Sequence, residues 1–140
     1  MARAIPTDED LLDEIYRRNL KAFSAFSEEN KTRSSKIWMP IDIEALGRKF
    51  RCDPDLIFGR LYYHFNQKYA STTGDGDAVN FFNMRLGQDR HVVNFPLLTS
   101  VLADLQDSRK RFLISARLAG LSLVVSGISV FLAIFLSRGI

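Results

Sequence analysis

From Leu118 to Leu136 the chain reads LAGLSLVVSGISVFLAIFL, nineteen consecutive residues without a charge, bracketed by Arg117 and Arg138. As an α-helix this run is about 28 Å long, close to the thickness of the hydrocarbon core of a bilayer. A helix satisfies its own backbone in lipid, so the two glycines and three serines inside the run are tolerable. A soluble core would have to surround the same helix on every face. A 140-residue chain has too little protein left over to do so. Residues 118–136 are therefore expected to be a transmembrane helix, and the lipid bilayer is the first expected partner.

Flanking charge predicts the orientation. Arg109, Lys110, Arg111 and Arg117 precede the run and only Arg138 follows it. The positive-inside rule then puts the N-terminal part in the cytoplasm, as a single-pass protein. The expected organisation is a cytoplasmic domain at 1–112, a juxtamembrane segment at 113–117, the span, and a short tail at 137–140, a layout that resembles tail-anchored proteins. Within the span Ser122, Ser126, Ser129 and Ala133 fall on one helix face as a small-residue stripe where a second helix can approach closely. Residues 97–136 are accordingly a candidate surface for a homodimer, although a neutral anchor face accounts for the stripe as well.

The part before the span has enough bulk to fold. The whole chain holds eleven Phe, four Tyr and one Trp, sufficient for a small core. Residues 1–30 carry four basic and seven acidic side chains, and residues 31–112 carry thirteen basic and nine acidic. The head is thus only weakly basic, thin support for a strong phosphate binder. The single cysteine, Cys52, excludes an internal disulfide and suits a reducing compartment.

Local signals predict a mostly helical α+β head. Thr7 caps a first helix expected to reach about Glu29, with Leu12, Ile15, Tyr16, Phe23 and Phe26 at helical spacing. Residues 30–35 read as a loop, and Ile37-Trp38-Met39, stopped by Pro40, as a brief edge strand. Asp42 caps a helix over 43–50, and Arg51-Cys52 is a tight break. Asp53 caps a third helix that opens on Pro54, with Leu56, Ile57, Leu61, Phe65 and Tyr69 on one side. Residues 71–77 read as a turn-rich loop. Two strands, 79–86 and 91–95, flank the hairpin chemistry of Gly87-Gln88-Asp89. From Pro96 to Gly120 nothing breaks a helix, so the last helix of the head is expected to run on into the span.

The segment LGRKFRCDPDLIFGRL, Leu46 to Leu61, resembles the helix-turn-helix motif. Leu46 and Phe50 face the core, Gly47 is small where the next helix passes, Cys52 plugs the turn, and Ile57 and Leu61 pack back. Arg51 departs from the glycine common at the turn, and Arg60 from a small apolar residue. With a short strand before it and a hairpin and helix after it, the head resembles a winged helix-turn-helix domain.

That resemblance implies two functions. In a DNA-binding regulator tethered to the membrane, the third helix would enter the major groove through Arg60, Tyr63, His64, Gln67 and Lys68, with Arg85, Arg90 and His91 of the hairpin on phosphates. In a docking module, the same residues would meet a protein partner. The weak charge and the tether favour protein docking, with DNA as the alternative. No catalytic, cofactor or metal site is expected. Cys52, His64 and His91 lack paired ligand spacing, Asp75-Gly76-Asp77 lacks the closing ligands of a calcium loop, and no run carries a catalytic mechanism. Phe58, Tyr62, Tyr63, Phe81 and Phe82 are read as core rather than as a base-stacking platform.

Overall fold

A computed structural model of the chain describes residues 5–139. The protein is α+β, with small antiparallel sheets and one long apolar C-terminal helix. It divides into two compact units, one ending at Ala103 and the other beginning at Asp104.

In the first unit α1 (Asp8–Ser24) opens on a reciprocal cap: Thr7 Oγ1 accepts from Asp10 N at 3.1 Å, and Asp10 Oδ2 accepts from Thr7 N at 3.2 Å. The helix stops at Ser24, short of the expected Glu29. Arg33, nearly buried, donates to Ala22 O at 3.1 Å near the end of the helix, and to the carbonyls of Ser35 and Lys36. Its guanidinium lies 4.6 Å from the Phe26 ring centroid. Phe26 therefore packs from the turn after α1 and not from the helix itself.

β1 (Trp38–Pro40) leads into α2 (Ile43–Phe50), where the Asp42 carboxylate accepts from Ala45 N at 2.8 Å. The break after α2 is left-handed at Arg51, φ 53°, and Cys52 N donates to Gly47 O at 3.0 Å. Gly47 is demanded by close approach. A Cβ there would lie 2.9 Å from Pro54 Cγ and 3.0 Å from Cys52 O. α3 (Pro54–Gly59) starts on the Asp53 cap, as predicted.

The third helix is not uniform. A π-helical stretch, Arg60–Phe65, follows α3, and α4 (Asn66–Tyr69) completes it. Ile57, Leu61 and Phe65 are fully buried, each four residues on from the last. In an α-helix a four-residue step over-rotates by about 40°, and the wider π turns take that drift back. Leu56, expected on the core face, is instead exposed, because it lies one residue away from this row.

The region read as a loop at 71–77 forms a small hairpin of its own, β2 (Ser71–Thr72) with β3 (Ala78–Val79). The expected strand at 79–86 is thereby split, and its second part is β4 (Phe82–Leu86). β4 and β5 (Asp89–Asn94) are joined by Gly87-Gln88, with Gly87 at φ 59°. The three-stranded antiparallel sheet has the order β1-β5-β4, so β1 is an edge strand as expected. Asn66 clamps the third helix to β4. Its amide donates to Phe82 O at 2.8 Å and its carbonyl accepts from Phe82 N at 2.7 Å.

α5 (Phe95–Arg138) begins one residue before the expected Pro96, with the Asn94 side chain accepting from Leu97 N at 3.1 Å. Phe95 stacks on Phe23 and Tyr16 of α1. Among the described residues Leu98 and Leu102 are the last that are buried, and the first compact unit ends at Ala103. The helix also extends two residues into the expected tail, through Ser137 and Arg138, and Ile140 lies outside the described residues.

Candidate functional site

The densest polar cluster is built around Asp8. The Thr7 cap fixes the first turn of α1, which holds the Asp8 side chain in place. The four-residue spacing of Arg60, His64 and Lys68 along the third helix presents three basic groups to it. Lys68 Nζ lies 2.9 Å from Asp8 Oδ2, His64 Nε2 3.1 Å, and the Tyr69 hydroxyl donates to the same oxygen at 2.7 Å. Arg60 donates to Asp8 Oδ1 and to the carbonyl of Pro6. The Asp8 side chain is only 12% exposed.

Burial pushes the Asp8 carboxyl upward, but hydrogen bonds from Tyr69, Lys68 and His64 outweigh it and hold the group well below the usual carboxylate range. The same contact, with the Asp8 carboxylate as hydrogen-bond partner, raises the Lys68 ammonium. Burial, and then that carboxylate, raise the Tyr69 phenol.

Three of the five candidate contacts on the third helix are thus engaged by an acid of the same chain. Tyr63, 69% exposed, and Gln67 remain on the surface. Sequence reasoning missed Asp8 as a site residue because an acid in the first turn of a helix is explained by the helix dipole alone. The signal available was the i, i+4, i+8 spacing of Arg60, His64 and Lys68, which called for an anion.

The hairpin candidates form a separate group. Arg85 and Arg90 are directly opposite in the β4–β5 register, and Arg85 Nε donates to Gly87 O at 3.2 Å. Like charges in that arrangement are mildly destabilising. His91 is drawn away from them. Its backbone is left-handed, φ 52°, and its ring stacks on Phe82 and meets Phe58 edge-on at 5.6 Å.

Tyr62 and Tyr63, read as core, are exposed, whereas Phe81 and Phe82 are fully buried. Phe58 stacks on Tyr62 at 5.6 Å, and Tyr62 meets Tyr63 edge-on at 5.0 Å. With Leu56 at 52% exposure, these tyrosines put apolar and aromatic surface on the outer side of the third helix, beside the exposed Asp55, His64, Gln67 and Lys68. Beside it a cleft of about 380 Å³ opens between the start of α2 and α3. Among the described residues no group of three or more His, Cys, Asp or Glu is arranged to hold a metal ion.

In the second unit α5 contains the most apolar stretch of the protein, with a mean hydropathy of 2.4 over eighteen residues and none of it buried. By length and composition this helix is able to cross a membrane. The serines of the stripe are satisfied along the helix itself. Ser122 donates to Ala119 O, Ser126 to Ser122 O and Ser129 to Val125 O, at 2.8–2.9 Å. Ala133 carries no polar atom in its side chain. Of the flanking cations, Arg111 pairs with Asp107 at 2.8 Å, and Lys110, Arg117 and Arg138 are exposed. Arg109 lies on the same helical turn as Lys110 and Arg111.

No protein-family model matches the chain, and neither a curated protein nor a solved structure is significantly similar to it.

Proposed function

We propose that this chain is a membrane-anchored winged-helix interaction module, without catalytic activity, that docks a protein partner at the cytoplasmic face of a membrane. The element order α1-β1-α2-α3, then a hairpin that completes a β1-β5-β4 sheet, supports the winged-helix reading. The uncharged, unburied stretch of α5 supports the anchor. The excess of cations before the span supports a cytoplasmic head.

One observation carries the choice of partner. Asp8 engages Arg60, His64 and Lys68, the cations a DNA-reading third helix would present. With those cations held by Asp8, the exposed side of that helix also carries Leu56, Tyr62 and Tyr63, apolar and aromatic surface suited to a protein, beside Asp55 and Gln67. Nucleic-acid binding is favoured by a different feature, the facing Arg85 and Arg90 of the hairpin. A membrane-tethered DNA-binding regulator is therefore the second reading.

The test uses the full chain in lipid nanodiscs. Fluorescence anisotropy with mixed-sequence duplex DNA across a salt series should show no binding at physiological salt. A photo-crosslinking residue at position 63 in cells should give a discrete protein adduct that disappears with Leu56→Asp. Salt-sensitive DNA binding that falls in both Arg60→Ala and Arg90→Ala would replace docking with the regulator.

A further inference from the structure

The cleft beside the third helix has a composition that selects an occupant. Its buried residues are Ile41 and Ile43, and Pro54 and Phe58 add apolar surface. Asp42, Glu44 and Asp55 add three carboxylates, and no lysine or arginine lines it. Asp42 is partly engaged, since Oδ1 caps α2 through Ala45 N. The side chains of Glu44 and Asp55 are exposed and make no hydrogen bond or ion pair among the described residues. The cleft is therefore apolar within and negative at its mouth.

We infer that this cleft receives an arginine side chain from the docked protein. The inference rests on the docking reading and names the chemistry of the partner. A metal ion is a poor occupant, because the acidic groups do not converge on one point. A cation carried on an apolar stem matches both parts of the cleft: the methylenes lie on Ile43 and Pro54, and the head reaches the carboxylates. Arginine fits better than lysine. Its planar guanidinium bonds two carboxylates at once and stacks on an aromatic ring, and Phe58 supplies one at the wall. The Phe58 ring is held in place by Tyr62 stacked on it and by His91 and Phe82 edge-on. A firmly seated ring costs little to order on binding.

The experiment uses the full chain in phosphatidylcholine nanodiscs. The probe is a fluorescein-labelled nine-residue peptide of alanine and leucine with one central arginine. Its twin carries citrulline, which is isosteric and neutral. The arginine peptide should bind at least ten-fold more tightly than the citrulline peptide. Glu44→Gln with Asp55→Asn should remove that difference while leaving the circular dichroism unchanged. Glu28→Gln with Glu29→Gln, acids outside the cleft, should preserve it. Equal binding of the two peptides, binding of neither, or an equal loss in the Glu28/Glu29 variant overturns the inference. A protein adduct at position 63 without any arginine preference overturns it as well and leaves docking standing. Arginine preference with no adduct at position 63 supports the cleft and counts against docking through the third helix.

Discussion

The Tyr69 hydroxyl donates to Asp8 Oδ2 at 2.7 Å, closing a contact between the last turn of the third helix and the first turn of α1 across sixty-one positions of sequence. Lys68 and His64 converge on the same oxygen and Arg60 on the other. α1 is thereby fastened to the helix that a winged-helix protein would use for recognition, and the three basic groups of that helix are drawn toward one carboxylate.

Asp8→Asn should destabilise the head by about 1–3 kcal/mol, because the donors from Arg60, His64, Lys68 and Tyr69 lose a charged acceptor that is itself only 12% exposed. The pH dependence follows from the depressed carboxyl. Its contribution is complete above the ordinary carboxylate range, around pH 4 and higher, and is lost as pH falls below that range toward the lower folded-state value. Urea unfolding between pH 7 and pH 3 should therefore show the gap between the parent protein and Asp8→Asn narrowing as pH falls. A gap independent of pH would mean that the charge of Asp8 is not what holds the contact.

Gly47→Ala should cost about 1–3 kcal/mol through overpacking against the Pro54 ring and Cys52 O. The backbone oxygen cannot rotate away, so α2 and α3 must separate. Thermal unfolding measures the loss, and an unchanged midpoint would show that the two helices are not held this closely.

Arg51→Gly should act in the opposite direction and stabilise by about 0.5–1 kcal/mol. Arg51 is exposed and left-handed at φ 53°, a conformation that glycine adopts without the clash of a Cβ. Urea midpoints compare the two, and a loss of stability would reveal a role for the arginine side chain.

Arg33→Met should cost about 2–4 kcal/mol, since three backbone carbonyls lose a charged donor at once. Hydrogen exchange should locate the effect at the end of α1 and in residues 33–37. Uniform loss of protection across the head would place Arg33 in a wider role than closing α1.

The full chain should remain with membranes after carbonate extraction, with protease access to the head from the cytoplasmic side only. Val125→Arg with Ile128→Arg should release it, at about 2.5–3.5 kcal/mol for each charge at the centre of the span. A parent chain extracted by carbonate would remove the anchor. Protease access from the opposite side would reverse the orientation.

Much of the scaffold was readable because its signals are local. The caps Thr7, Asp42 and Asp53 act within three residues of themselves, and Pro54 and Gly87 are chosen for their own backbone geometry. Gly47 was readable because helices joined by so short a turn must touch. The end of α1 was not, since it depends on Arg33 reaching back eleven residues to Ala22 O. The π turn was not either. Its cause is the need to keep Leu61 and Phe65 on a core shared with Phe81 and Phe82. The residues of the cleft come from β5, α3, and the start of α2 with the two residues before it, and no spacing in the sequence links Glu44 to Asp55 and Phe58 or any of them to His91.

The sequence by itself determined the helical segments, the hairpin and the long apolar stretch of α5, because periodicity, caps and unbroken hydrophobicity act between near neighbours. The tertiary structure alone decided what the charges do. Arg60, His64 and Lys68 read as an outward basic face until the fold brings Asp8 to them from fifty-two to sixty positions away. Electrostatic pairing depends on distance in space, and a sequence supplies only distance along the chain.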